Sequence, residues 1–173
     1  KRKWTFDKIN TTALIQKNIA LYQTMAESKG IKLQFHPIGE LYGYGDYYAI
    51  DTVVRNLLSN SIKFSHTNKS VYISVCREEN MLLISVKDHG VGIPHEIQDK
   101  LFTLNENVRQ PGTNNEKGTG LGLTLCKELI RENKGDIYVK SSPGEGSEFT
   151  VVMPEYTHYA ESITSSELKT ADF

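Results

Sequence analysis

The chain reads as an α+β protein: a two-layer sandwich in which one mixed, mostly antiparallel sheet of about five strands is covered on one face by about three helices. Three observations point there. The periodic segments run in the order helix, strand, helix, hairpin, loop, helix, hairpin; short turns join the later strands in pairs; and the regular βαβ alternation of a doubly wound sheet is missing. With 173 residues, 38% of them hydrophobic, there is material for one substantial core plus short flanks.

Each element has its own signal. Residues 1–8 are polar around an alternating Trp4 and Phe6 and form a lead-in. Over residues 10–28, Ala13, Leu14, Ile19, Leu21 and Met25 recur at helical spacings, and Gly30 stops the helix. Residues 31–36 read as a strand ended by Pro37 and Gly39, and Tyr42-Gly43-Tyr44-Gly45 as a turn leading to Asp46, the N-cap of a helix that runs to Phe64. Val71, Ile73 and Val75, then Leu82, Ile84 and Val86, alternate on either side of Glu78-Glu79-Asn80, which predicts an antiparallel hairpin with Asp88 at its end. A short helical stretch covers 96–102. Residues 103–117, rich in Asn, Glu, Gln and Gly with Pro111 and almost no apolar anchor, are expected to be a mobile loop. Gly118-Thr119-Gly120 opens a helix with Leu121, Leu125, Leu129 and Ile130 on one face, closed by Asn133-Lys134-Gly135. Strands at 136–140 and 148–153 flank the turn Ser142-Pro143-Gly144-Glu145-Gly146. From residue 155 onward Ser, Thr, Glu and Tyr follow with little periodicity, as in a tail or linker. The expected organisation is a lead-in at 1–8, one domain at 9–154 and a tail at 155–173.

Twenty basic against twenty-one acidic residues leave no field that would draw the chain to nucleic acid or an anionic membrane, so any bound anion must be held locally. Cys76 and Cys126 each sit in an apolar or β-prone run, which suits reduced, buried thiols and a cytosolic compartment. No run approaches the roughly 20 apolar residues of a membrane span, and no signal-peptide pattern opens the chain.

Three groups of residues carry chemistry. On the helix after Asp46, Asn56, Asn60 and Lys63 fall within roughly 60° of one another, away from the apolar arc of Ile50, Val53, Val54, Leu57, Leu58 and Ile62. Such a stripe is either a solvated face or a ligand face; asparagine is a mediocre helix former, whereas its amide oxygen suits Mg²⁺ that already carries phosphate oxygens. Asp88-His89-Gly90-Val91-Gly92-Ile93-Pro94 is either an ordinary turn or a carboxylate placed to accept from an exocyclic amine, with glycines that let a flat ring approach. Gly118-Thr119-Gly120-Leu121-Gly122-Leu123 at a helix start either packs helices closely or offers backbone N–H groups to phosphate. It matches neither the Rossmann GxGxxG spacing nor a P-loop.

In this order and spacing the motifs resemble the catalytic and ATP-binding domain of sensor histidine kinases. Asn56 to Phe64 is similar to their N box, Asp88 to Gly92 to the first glycine box, Phe102 to the F box and Gly118 to Leu123 to the second glycine box. The Trp4-Thr5-Phe6-Asp7 start and the Ser142 to Phe149 hairpin extend the resemblance over residues 4–154. It implies a Bergerat-type ATPase fold with ATP and Mg²⁺ as cofactors. Asn60 would coordinate the metal, and Lys63 and Asn56 would approach the phosphates. Asp88 would read adenine in a pocket shaped by Gly90, Gly92 and Ile93. Gly118, Thr119, Gly120, Leu121, Gly122 and Leu123 would frame the phosphates, with 103–117 as the ATP lid, Phe102 at its base, and Arg109 or Lys117 contacting the γ-phosphate.

ATP hydrolases of the same superfamily carry a glutamate one turn before the metal-binding asparagine; here that place is Asn56, a poor general base. The resemblance therefore implies γ-phosphate transfer to a histidine rather than hydrolysis. None of His36, His66, His89, His95 and His158 has the acceptor's setting, so the acceptor is expected on a dimerisation domain outside the chain, which alone would not autophosphorylate. The intact protein would be a homodimeric, membrane-bound two-component sensor passing phosphate to a response regulator receiver domain. The alternatives are an ATP hydrolase of the superfamily and a regulatory ATP-binding module without phosphotransfer.

Overall fold

In the computed structural model, residues 2–103, 112–114 and 122–170 are described, with side chains to residue 164. The elements are β1 Phe6–Asn10, α1 Thr11–Ser28, β2 Lys32–Phe35, β3 Tyr42–Asp46, α2 Tyr47–Phe64, β4 Ser70–Glu78, β5 Met81–Lys87, α3 His95–Gln98, α4 Gly122–Glu132, β6 Asp136–Ser142, β7 Gly146–Pro154 and α5 Tyr156–Thr170. The expected two-layer sandwich is what they build. A five-stranded sheet runs β2-β4-β5-β7-β6, parallel between β2 and β4 and antiparallel elsewhere.

Strand alternation sets the core face. Val75, Ile84, Val151 and Ile137 lie in one row across the sheet, and Ile73, Val86, Phe149 and Val139 in the next. Helix α2 packs between α1 and α4 above these rows, and its Ile50, Val53, Val54, Leu57, Leu58 and Ile62 are at most 2% exposed. Each such burial contributes about 1.5–3 kcal/mol before conformational entropy is subtracted. On the other face Ser85 and Thr150 hydroxyls pair at 2.9 Å while Tyr72 and Lys87 reach solvent. Cys76 also lies on that face and is exposed, whereas Cys126 is buried, and burial pushes its thiol pKa up to about 12. Buried thiols were expected at both positions; the period of two puts Cys76 out of phase with Val71 and Ile73.

Several local expectations change. Residues 42–45 are a strand: β3 pairs antiparallel with β1 in a second, two-stranded sheet, Phe6 opposite Asp46 and Asn10 opposite Tyr42. The glycines serve close approach there. A Cβ on Gly43 would collide with the Met153 side chain, and one on Gly45 would lie 2.9 Å from Asn133 Oδ1. In α1 the buried residues are Thr11, Thr12, Leu14, Ile15, Asn18 and Ala26, while Leu21 and Met25 are exposed. The burial follows Asn18, whose Nδ2 donates to Asp51 Oδ1 of α2 at 2.8 Å. In α4 Leu125 is exposed, and Cys126, Leu129 and Ile130 face the core. Residues 155–173, expected as a tail, include α5, whose N-terminal turn is held by His158 N–H donating to Glu155 Oε2 at 2.9 Å. Tyr159 of α5 stacks on Tyr44 of β3 at 4.1 Å.

Asp46 joins the two layers. It caps α2 by accepting from Ala49 N–H at 3.0 Å, and it also accepts from Thr5 N–H at 2.9 Å and from Arg2. Burial alone would raise its pKa, but these N–H donors and the Arg2 guanidinium outweigh burial and hold it below the ordinary carboxylate value. A depressed carboxyl stabilises the fold above the unfolded pKa and loses that contribution as pH falls through the folded one. Asp46→Ala is therefore expected to cost about 1–2 kcal/mol at neutral pH and less near pH 3, measured by urea unfolding at both.

Candidate functional site

The stripe on α2 occupies a middle state. Asn56, Asn60 and Lys63 are each half-buried, between the sealed apolar arc and the solvated Arg55. Packing on either side explains this, because α1 covers one flank and α4 the other. The two amides differ. Asn56 Nδ2 donates to Thr52 O one turn back at 2.9 Å, and a Cβ on Gly122 would lie 2.7 Å from Asn56 Oδ1. Asn56 thus meets the first residue of α4 edge-on. The side chain of Asn60 makes no hydrogen bond among the described residues, so its amide oxygen is available to a ligand. Lys63 lies with its ammonium 4.9 Å from the Phe64 ring centroid.

Asp88 sits just past β5, 4% exposed. Its Oδ1 accepts from Gly90 N–H at 3.0 Å and from Ser147 N–H at 3.2 Å, while Oδ2 has no partner among the described residues. Its own N–H donates to Ser147 O at 2.9 Å, so the start of β7 clamps the carboxylate from both sides. Burial pushes its pKa up to about 6 against the opposing pull of the Gly90 and Ser147 N–H groups.

Gly90 and Gly92 act through close backbone approach. A Cβ on Gly90 would strike the carbonyl of Phe64 at the end of α2, and one on Gly92, at φ +68°, the carbonyl of Ser142. The loop is thereby locked between α2 and the β6–β7 hairpin, with Ser65 and Gly90 forming a β-bridge. Ile93, 9% exposed, donates its N–H to Ser141 Oγ at 2.8 Å. Phe102 packs edge-on to Phe149 at 6.4 Å, with Lys127 Nζ 5.5 Å from its centroid, at the foot of the expected loop. The helical stretch expected at 96–102 shrinks to α3, followed by turns. Leu123 packs against the core from α4.

The structure thus brings Gly122 against Asn56, and Gly90, beside Asp88, against the end of α2, while Gly92 and Ile93 pack on the β6–β7 hairpin. Arg109, Lys117, Gly118, Thr119, Gly120 and Leu121 lie outside the described residues, as does most of the loop at 103–117. Two participants were not singled out from the sequence. Ser147 holds Asp88 through its main chain, a role that carries no side-chain signature, and Thr113 bonds to the end of α2.

The described residues thus offer a half-buried amide face, a buried carboxylate whose Oδ2 has no hydrogen-bond partner among them, and a helix that opens on Gly122. Comparison with known proteins places the chain further. Residues 45–157 match the family of histidine kinase-, DNA gyrase B- and HSP90-like ATPases, and the chain belongs to that family. It is similar to sensor histidine kinase RcsC of Escherichia coli, 44% identical over 112 residues that make up 65% of this chain and 12% of RcsC. It also resembles WalK of Bacillus subtilis, 38% identical over 68% of this chain and 20% of WalK, and YcbM of the same organism, 29% identical over 87% and 49%. The chain therefore spans from an eighth to about half of these relatives. Among solved structures, the nucleotide-free catalytic domain of histidine kinase ThkA superimposes with a TM-score of 0.77 at 27% identity, covering 87% of this chain and 98% of that one.

A carboxyl whose folded pKa is raised contributes stability that is fully present below its unfolded pKa and lost as pH rises through about 6. At pH 7.5 the buried, ionised Asp88 costs on the order of 2–3 kcal/mol. Asp88→Asn keeps the Oδ1 acceptor and removes the charge. It is expected to raise stability at pH 7.5 by about 1–2 kcal/mol and to flatten the pH dependence between about pH 4 and 6. Thermal unfolding of both proteins across that range checks this; a less stable variant at pH 7.5 would contradict it.

Proposed function

We propose that this domain binds Mg-ATP and transfers the γ-phosphate to a histidine on a dimerisation domain of a longer protein, as the kinase of a two-component sensor. The observation that carries the reading is Asn56. The residue one turn before Asn60 has no carboxylate, and its amide is tied to Thr52 O, so the site holds no general base for water at that place. Such a site presents ATP to another nucleophile, with positioning and electrostatics supplying the catalysis.

The residues fit the roles the family resemblance assigns. Asp88 Oδ2 accepts the adenine amino group while Gly90 and Ser147 hold Oδ1. Asn60 offers its amide oxygen to Mg²⁺; no group of three or more His, Cys, Asp or Glu that could hold a metal exists among the described residues, which suits an ion held mainly by phosphate and water. Bound there, Mg²⁺ would neutralise phosphate charge during transfer. Lys63 and Asn56 face the phosphates, Gly122 starts the helix that receives them, and Arg109 and Lys117 are assigned to the γ-phosphate. The domain proper spans 9–154. In this reading the whole protein is a homodimer anchored in the membrane, with this domain on the cytosolic side and a response regulator receiver domain as its phosphate acceptor.

Supplied with its upstream helices, Mg²⁺ and γ-labelled ATP, the protein should acquire phosphate that is labile in acid and stable in base. Asn60→Asp places a carboxylate against the phosphates and should lower labelling about 100-fold or more. Free phosphate without labelled protein would instead indicate a hydrolase, and ATP binding with neither product a regulatory module. For the chain alone, ATP affinity should fall as pH drops below about 6, because only ionised Asp88 accepts the amine well. A pH-independent Kd over about pH 5–8 would remove Asp88 from the adenine contact.

A further inference from the structure

The carbonyls at the end of α2 are engaged by its own cap and by three other parts of the chain. Ser61 O accepts from Ser65 N–H at 3.1 Å. Ile62 O and Lys63 O accept from the ammonium of Lys29, only 7% exposed, at 3.0 and 2.8 Å. Phe64 O accepts from Val91 N–H of the glycine loop at 3.3 Å. Thr113 reaches the same place: its N–H donates to Lys63 O at 3.1 Å, and its hydroxyl to Ser65 O at 2.7 Å and to Lys63 O at 3.4 Å.

We infer that Thr113 is a positioning residue for the phosphate end of the nucleotide. The residue that Thr113 bonds is Lys63 itself, the cation of the stripe, through its carbonyl, and the same junction carries the Ser65–Gly90 bridge beside Asp88. A segment that reads in sequence as lacking apolar anchors is thus tied by polar bonds to the backbone that bears the phosphate-facing residues. Lys29 holds the same carbonyl from the opposite element, so the turn is gripped between α1 and Thr113. Thr113 touches no reacting atom in this account; it fixes where Lys63 stands. The inference rests on the reading of the site as a Mg-ATP site.

The test is calorimetric titration of the chain and its Thr113→Val and Thr113→Ser variants with Mg-ATP and with adenosine, alongside thermal unfolding. Valine keeps the shape of threonine and the main-chain bond to Lys63 O, and loses the hydroxyl that donates to Ser65 O and Lys63 O. With a neutral hydrogen bond removed from the competent arrangement, Mg-ATP affinity is expected to fall about three- to tenfold. Adenosine affinity should stay unchanged, the melting temperature should fall by no more than about 2–4 °C, and serine should restore ATP binding. Unchanged Mg-ATP affinity in Thr113→Val, or equal losses for ATP and adenosine with a lowered melting temperature, would overturn the positioning role. A parent chain that binds adenosine but not Mg-ATP, or neither, would bring down the reading of the site itself and this inference with it.

Discussion

A helix packed on several sides can serve a ligand only along the stripe that its packing leaves open. On α2 the sheet takes the apolar arc, α1 takes the flank of Asp51, and α4 closes from the other side. Asp51 is 5% exposed and pairs with Asn18, Lys17 and Arg55, so the α1 contact has a polar key that fixes the rotation of α2 about its axis. Turning the helix by one residue, about 100°, would bury Lys63 and expose Leu57 or Leu58, losing several kcal/mol of apolar burial. The placement of Asn56, Asn60 and Lys63 therefore follows from core packing, although none of the three contributes to the core.

Asp88 is set by a different balance. A carboxylate at the end of a strand would ordinarily point to water, but here the β6–β7 hairpin and the end of α2 close over it. Backbone contacts at Gly90, Gly92 and Gly146 require the absence of a Cβ for that closure. The two N–H groups on Oδ1 keep the ionised form within reach of neutral pH without fully compensating its burial. A residual cost of this kind, with Oδ2 lacking a hydrogen-bond partner among the described residues, fits the proposed contact with an amine donor. The same cost has no structural return in the free protein.

Elements with aliphatic periodicity were readable in the sequence, and those held by other forces were not. Helix α2 and the β4–β5 hairpin show their buried faces directly in the spacing of Val, Ile and Leu. Strand β3 was missed because Gly43 and Gly45 resemble a turn, and nothing local reveals that Met153 and Asn133 need the space of their missing side chains. Helix α5 was missed because its contacts are carried by Tyr156 and Tyr159 against Tyr44, an aromatic stack with no aliphatic stripe. In α1 the burial of Asn18 shifts the inward face away from Leu21 and Met25, a tertiary choice that overrides hydrophobic spacing. For the site, residue types and order singled out Asn56, Asn60, Lys63 and Asp88, the residues on which the proposed function rests. Main-chain partners such as Ser147 and the carbonyls at the end of α2 leave no trace in residue identity.

The difference between Asn56 and Asn60 bears on chemistry more than their likeness does. Both cost helix propensity relative to Ala, of order a few tenths of a kcal/mol each, so neither is there for α2 itself. Asn56 recovers part of that cost by bonding back to Thr52 O and by abutting the glycine start of α4, where a longer or charged side chain would force the helices apart. The Asn60 side chain makes no compensating hydrogen bond among the described residues. A carboxylate at position 60 would bring a full charge beside the half-buried Lys63 and repel phosphate, whereas a neutral amide leaves the net charge of the site to the ligand and its metal. The stripe therefore carries one cation, one committed amide and one amide without a partner among the described residues, a charge balance that suits the proposed Mg-ATP complex.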